Sequence, residues 1–156
     1  MRKRIIPSAD EANPTSDDNW LDLEELVEVE VTSEDPEFPI ESALLPGGTS
    51  GWRASGPGEQ TIRLLFTQPQ AVRRILLEFV EPAVERTQEF VLRWSLDGRT
   101  LHDVVRQQWN FSPQGATEQT EDHRVELNDV TMIELTIVPD ISGGSARASL
   151  ATWRLA

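Results

Sequence analysis

The chain reads as an all-β protein, an antiparallel β-sandwich of about eight strands. Three observations predict this class. Apolar residues recur with a period of two in nearly every apolar stretch, no long stretch shows a helical period, and turn residues interrupt the stretches at short intervals. At 156 residues the chain has the size of one domain. A chain of this length buries roughly 68–70% of its unfolded surface, enough for one real core.

Taken in order, residues 1–19 are polar, with Pro7, Pro14 and "SDDN", and read as a flexible N-terminal tail. Residues 20–156 then form a single sandwich domain. "NWLDLEEL" suits one helical turn, with Asn19 as cap and Trp20, Leu23 and Leu26 or Val27 on one face. In "LVEVEVT", Val27, Val29 and Val31 alternate with Glu28 and Glu30, the mark of a half-buried strand. "SEDPEFP" breaks it, and "IESALLPGGTSGWRASGPGEQ" reads as an irregular connection.

Strands follow at short intervals. "TIRLLFT" sets Ile62, Leu64 and Phe66 on one face, and "RRILLEFV" does the same for Ile75, Leu77 and Phe79. "EFVLRWS" sets Phe90, Leu92 and Trp94 together, and "LHDVVRQ" follows the turn "LDGRT". Asp97-Gly98 predicts a hairpin there, because glycine tolerates the positive φ that tight turns need. "HRVELN", "TMIELTIV" and "ASLATWRLA" complete the set, the last with Trp153 and Leu155 inward. No internal repeat is present.

Charge and composition exclude several functions. The formal net charge is −13, and it is uneven: from Ile5 to Trp52 there are 13 acids and no Lys or Arg. From Arg53 onward 14 acids meet 11 bases. Such a surface repels phosphate backbones, so nucleic acid is not an expected partner. The plain reading of the acidic third is a solvated surface; the sharper one is a docking face for a basic partner. No apolar run approaches 18 residues, so no membrane span is expected. "MRKRIIP" has no apolar signal region, which makes the cytoplasm the expected location. Cysteine is absent, which removes disulfides and thiolate metal sites.

No catalytic set stands out, and the chain is read as non-enzymatic. His102 and His123 lie on expected strands without ligand spacing, so surface or hydrogen-bonding roles suit them. Ser95 in "WSLDG" lacks the G-x-S-x-G elbow and suits turn chemistry beside Asp97. "LPGG" and "SGG" lack the lysine and helix of a phosphate loop. Neither a cofactor nor a metal is expected.

Four pieces in order resemble the galactose-binding-like jelly roll of coagulation-factor type C (discoidin) domains and many carbohydrate-binding modules. They are "TSGWRAS", "EQTIRLLFTQPQAVRRILLEF", "FVLRWSLDGRTLHDVV" and "VTMIELTIVPDISGGSARASLATWRLA". The resemblance spans roughly Leu21 to Ala156, and its "S-x-D-G" hairpin is the most specific part. It implies a jelly-roll binding module, with carbohydrate as the first ligand class. The same fold serves intracellular protein–protein interaction, so a protein partner is the alternative. Family members with a structural calcium supply an Asp before the "T-x-W" segment and a Glu in the last strand. Here the loop "LLPGGTSGW" has no Asp, and Thr152 stands in place of the Glu. A hard cation wants six to eight oxygens, so no calcium is expected.

Aromatic content is 6% and there is no tyrosine. Trp94 and Trp153 fall on core-facing positions, and Trp52 matches the family's buried tryptophan. Trp20, Trp109 and Phe111 remain for function. In "VVRQQWNFSPQG", Trp109 and Phe111 are either a platform for a sugar face or the plug at the end of a core. Asn110 between them suits a hydroxyl or a backbone tie. The candidate ligand set is therefore Trp109, Asn110 and Phe111 with Glu81 and Arg86 of "EPAVERT", rimmed by "PDISGG". The resemblance implies an Arg after the third strand, and only Arg86 offers one, out of register. For a protein partner the candidates are Trp20, Glu28 and Glu30, the two glutamates otherwise serving as edge protection.

Overall fold

A computed structural model describes residues 20–48 and 50–156. The expected tail and the expected cap Asn19 lie outside the described residues. The elements are α1 (Leu23–Leu26), β1 (Val27–Val31), α2 (Glu41–Leu44), β2 (Trp52–Arg53), β3 (Gln60–Val80), β4 (Arg86–Ser95), β5 (His102–Phe111), β6 (Glu118–Val138), β7 (Ser149–Leu150) and β8 (Thr152–Leu155). All pairings are antiparallel.

The expected strands "TIRLLFT" and "RRILLEFV" are one bent strand, β3, and "HRVELN" and "TMIELTIV" likewise merge into β6. The two pair along their length, with register shifts between Leu65 and Arg74. Irregular pairing lets a strand bend without breaking. Asp129, at φ 56°, turns β6 at the same level, a conformation that aspartate tolerates better than most residues. The bent pair therefore belongs to both layers of the sandwich. One layer is β1, the first half of β3, the second half of β6, β4 and β5; the other is β8, the second half of β3 and the first half of β6.

The period-two pattern does what it predicts. Ile62, Leu64, Ile75, Leu77, Phe79, Leu92, Ile133, Leu135 and Ile137 are fully buried in one continuous core with Trp52 and Trp153. Phe79 and Phe90 meet across the layers with ring centroids 5.3 Å apart. Trp94 departs from expectation: it is half-buried and stacks on His102 at 4.8 Å. On the outer face an ion-pair ladder crosses five strands, from Glu30 to Arg63, Glu134, Arg93 and Asp103. It accounts for Glu134, which is buried although it points away from the core.

The connection expected to be irregular contains α2 and β2. β2 pairs with β7, and Trp52 donates its indole N–H to the Ser33 carbonyl at 3.0 Å. Gly51 precedes it at φ 68°, where a Cβ would meet the Leu150 carbonyl oxygen at 2.6 Å. The Asp97-Gly98 hairpin forms between β4 and β5, with Gly98 at φ 76°.

Arg154 of β8 bears on the calcium expectation. Arg154 donates to the Ala43 carbonyl at 2.7 Å and to the Leu45 carbonyl at 3.1 Å. A guanidinium thus already binds two carbonyl oxygens beside this loop, and Thr152 adds no carboxylate. These residues do not fit calcium. Among the described residues there is no group of three or more His, Cys, Asp or Glu that could hold a metal ion. No described helix is long and apolar enough to cross a membrane.

Candidate functional site

Three connections meet at one end of the sandwich: β3–β4 (81–85), β5–β6 (112–117) and the segment after β6 (139–148). Backbone hydrogen bonds tie them together. Glu81 N–H donates to Thr117 at 2.8 Å, Ile141 N–H to Thr87 at 2.9 Å, and Ser112 N–H to Ala116 at 2.9 Å. Between them lies a cavity of about 460 Å³, lined by Glu85, Arg86, Thr87, Asn110, Phe111, Ser112, Asp140 and Ser142. That volume is ordinary for a small-ligand site.

Arg86 is the centre of this end. Its side chain is fully buried, and its Nε donates to Glu81 at 2.9 Å. Nη1 donates to the Pro139 carbonyl at 2.8 Å and to Gln88 Oε1 at 3.2 Å. The guanidinium lies over the Phe111 ring, 4.8 Å from its centroid. Gln88 donates to Gln119, Gln119 to Glu121, and Glu121 holds His123 at 2.9 Å. Every donor in this chain of amides points the same way, from the cation toward the anion, so the bonds reinforce one another. The network fixes the guanidinium in place, yet Nη2 has no hydrogen-bond partner. An unmet buried donor of this kind costs free energy.

The other walls are polar. Thr87 Oγ1 donates to Asn110 Oδ1 at 2.6 Å, which leaves the Asn110 amide N–H₂ without a partner. Asp140 Oδ1 accepts from the Ser142 hydroxyl at 2.7 Å and the Ser142 N–H at 3.1 Å. These bonds hold the Asp140 carboxyl below the usual carboxylate range, helped by the Thr87 N–H and the charge of Arg86. The cavity thus offers the Asn110 amide donor beside the carboxylates of Glu85 and Asp140, with the Arg86 guanidinium sealed from it. It has no open aromatic floor.

Each residue singled out from the sequence has a definite place. Phe111 is the plug: it is fully buried beneath Arg86 and has no ring face for a ligand. Trp109 is 37% exposed and stands outside the cavity wall. Trp109 and Asn110 are neighbours on a strand, so their side chains leave opposite faces of the sheet and do not form one surface. Glu81 and Arg86 come together as a buried ion pair. Trp20 is half-buried and packs on the Arg74 guanidinium at 4.6 Å, remote from this end. Glu28 and Glu30 are exposed on β1, at the margin of its sheet, with Glu30 3.6 Å from Arg63.

Sequence reading did not pick out Thr87, Glu85, Asp140 or Ser142 individually. The available signal was "PDIS", since Asp two residues before Ser favours a local side-chain turn. A larger cavity, about 680 Å³, adjoins Leu76, Thr152 and Arg154. Trp20 and Leu21 also line it.

Comparison with solved structures places this architecture. The chain is similar to a carbohydrate-binding module of family 32 produced by Clostridium perfringens, in complex with glcNAc-alpha-1,4-galactose. Identity is 13% and the TM-score 0.60, covering 90% of this chain and 96% of that one. It is also similar to the family 32 module of AlyQ in complex with 4,5-unsaturated mannuronic acid (17%, TM-score 0.59, 85% and 95% covered). The family 32 module of C. perfringens NanJ, in complex with galactose, matches at 16% identity and TM-score 0.56, with 83% and 92% covered. No family model matches the chain, and no curated protein does. The protein therefore has the galactose-binding-like β-sandwich fold of these modules, as its four sequence pieces implied.

Proposed function

We propose that the protein is a non-catalytic carbohydrate-binding module that takes a saccharide in the cavity around Arg86. The observation that carries the reading is the polar cavity itself, walled by the hydrogen-bonding side chains of Thr87, Asn110, Asp140 and Ser142. Asn110 gives a donor to a saccharide oxygen, and the carboxylates of Asp140 and Glu85 accept from hydroxyls. Donors and acceptors side by side are what neighbouring hydroxyls need. The complexes of the similar modules with saccharides support the same ligand class.

Binding rather than cleavage suits the set. Two similar structures in complex with saccharides are carbohydrate-binding modules. The test is a nuclear magnetic resonance titration of the full chain with a panel of mono- and oligosaccharides, following backbone amides. Saturable shifts centred on residues 85–87, 110–112 and 140–142 are expected. Shifts centred elsewhere, or none across the panel, contradict the reading.

A further inference from the structure

A second cavity opens at the same end of the sandwich, and its charge has the opposite sign. It holds about 250 Å³ and is walled by Arg53 and Arg147 with Glu81, Ala83, Val84 and Ser145. Both cavities take one wall from the β3–β4 connection and another from the segment after β6. Here the guanidiniums are open to a ligand: the Arg147 side chain is 34% exposed and Arg53 is half-buried. Arg147 is fixed in place. Its Nε and Nη2 donate to the Ala54 carbonyl, and Nη2 also donates to Asp35 at 2.9 Å. Its Nη1 has no hydrogen-bond partner among the described residues. Arg53 lies over the Phe38 ring, 5.3 Å from the centroid. Among the described residues its guanidinium has neither an ion pair nor a hydrogen bond.

The carboxylates near these arginines are already engaged. Glu81 accepts from Arg86 through Oε1 at 2.9 Å and from the Ala83 N–H through Oε2 at 3.3 Å. Asp35 is bonded to Arg147 and acts on Arg53 only through space. Three guanidiniums, of Arg53, Arg86 and Arg147, thus meet two carboxylates, and one positive charge is left over. The molecule as a whole carries −13 and opposes an anion at long range. At about 0.15 M salt that repulsion is screened beyond roughly 8 Å, so the cations in contact govern binding.

We infer that the saccharide taken at this end joins a neutral unit to a uronic acid, the neutral unit in the Arg86 cavity and the uronic carboxylate against Arg53 and Arg147 Nη1. This rests on the carbohydrate reading of the Arg86 cavity and adds a second subsite with its own selectivity. A guanidinium edge presents N–H donors in one plane, which suits a carboxylate better than a single hydroxyl. Glu85 and Asp140 repel a carboxylate from the Arg86 cavity and accept hydroxyls there instead. Charge therefore sorts the two units between the two cavities. A wholly neutral saccharide would leave Arg53 without an anion.

The test is a nuclear magnetic resonance titration of the full chain at about 0.15 M salt and about pH 7, where uronic acids are ionised. The probes are cellobiouronic acid, its methyl ester and cellobiose, with the three corresponding disaccharides of the galactose series. The ester keeps the sugar and removes the charge, so the comparison needs no change to the protein. A contact between unit charges is worth about fivefold in affinity even in water-like surroundings. In one series the acid is therefore expected to bind about fivefold or more tighter than its ester. It should move the amides of residues 53–54, 83–84 and 145–147 together with those of 85–87, 110–112 and 140–142. Arg53→Gln, checked for an unchanged melt, brings the acid-to-ester ratio close to one. An ester that binds as well as the acid overturns the inference. So does an acid preference that survives Arg53→Gln, and so do shifts confined to either cavity. Neutral sugar bound at the Arg86 cavity with no preference for the acid overturns the inference and leaves the carbohydrate reading standing. Failure of every sugar in both series overturns the two together.

Discussion

Replacing Glu81 by alanine strands the Arg86 guanidinium inside the protein. The two side chains are 9% and 0% exposed and meet at 2.9 Å. After the substitution Nε loses its acceptor, Nη2 already has none, and only the Nη1 bonds to Pro139 and Gln88 remain. Breaking a buried pair from one side costs about 3–5 kcal/mol, because the remaining charge stays buried without compensation. A domain of this size loses roughly 3–4 °C of melting temperature per kcal/mol, so Glu81→Ala should melt roughly 10–20 °C lower. Scanning calorimetry or circular dichroism reads this directly. The double variant Glu81→Leu, Arg86→Met removes both charges and should recover most of the loss, since apolar replacements of a buried pair are often neutral. A Glu81→Ala melt within about 3 °C of wild type refutes the reasoning, as does a double variant no more stable than the single one.

Three further outcomes follow from the same structure. Trp52→Phe forfeits a 3.0 Å bond to Ser33, whereas Trp153 holds a buried indole N–H with no partner; Trp52→Phe should therefore cost about 1 kcal/mol more than Trp153→Phe in urea unfolding. The Thr100 and Arg99 N–H groups, with the Ser95 hydroxyl, lower the Asp97 carboxyl to about 2. A depressed folded-state value gives stability that is present above the usual carboxylate range and lost as pH falls toward 2. The gap in urea midpoint between wild type and Asp97→Asn should thus be full at neutral pH and close on acidification; a gap that does not change with pH contradicts the assignment. Because Arg154 occupies the Ala43 and Leu45 carbonyls, neither calcium nor a chelator should move the melting temperature, and a calcium-dependent rise would show that the cation site persists.

Which parts of this were legible in the sequence follows from the range of the forces involved. Alternation is local, so the inward faces of Val27–Val31, Ile62–Phe66 and Ile75–Phe79 could be read from single stretches. Glycine at a tight turn is local too, and Asp97-Gly98 forms its hairpin. The continuity of β3 and β6 was not legible, because bends at bulges look like strand ends in a hydropathy pattern. α2 and β2 were missed for a related reason: each is only a few residues long and held by contacts to distant segments, such as Arg154 on α2 and β7 beside β2.

The end cavity shows the same division. The sequence could place Trp109, Asn110 and Phe111 at a strand's end and pose plug against platform, but strand parity alone could not assign burial. The structure separates them: Phe111 lies under Arg86, while Trp109 remains partly exposed. The amide chain from Arg86 to His123 depends on two strands, β4 and β6, meeting, and nothing in "ERTQEF" or "TEQTEDH" alone announces it.

The most direct test of the central claim is a calorimetric titration of the full chain and of an Asn110→Ala, Asp140→Ala double variant with the saccharide that binds best in the panel. Saturable binding by the wild type that disappears in the folded double variant is the predicted result. Undiminished binding in that variant would contradict the claim that the Arg86 cavity is the site.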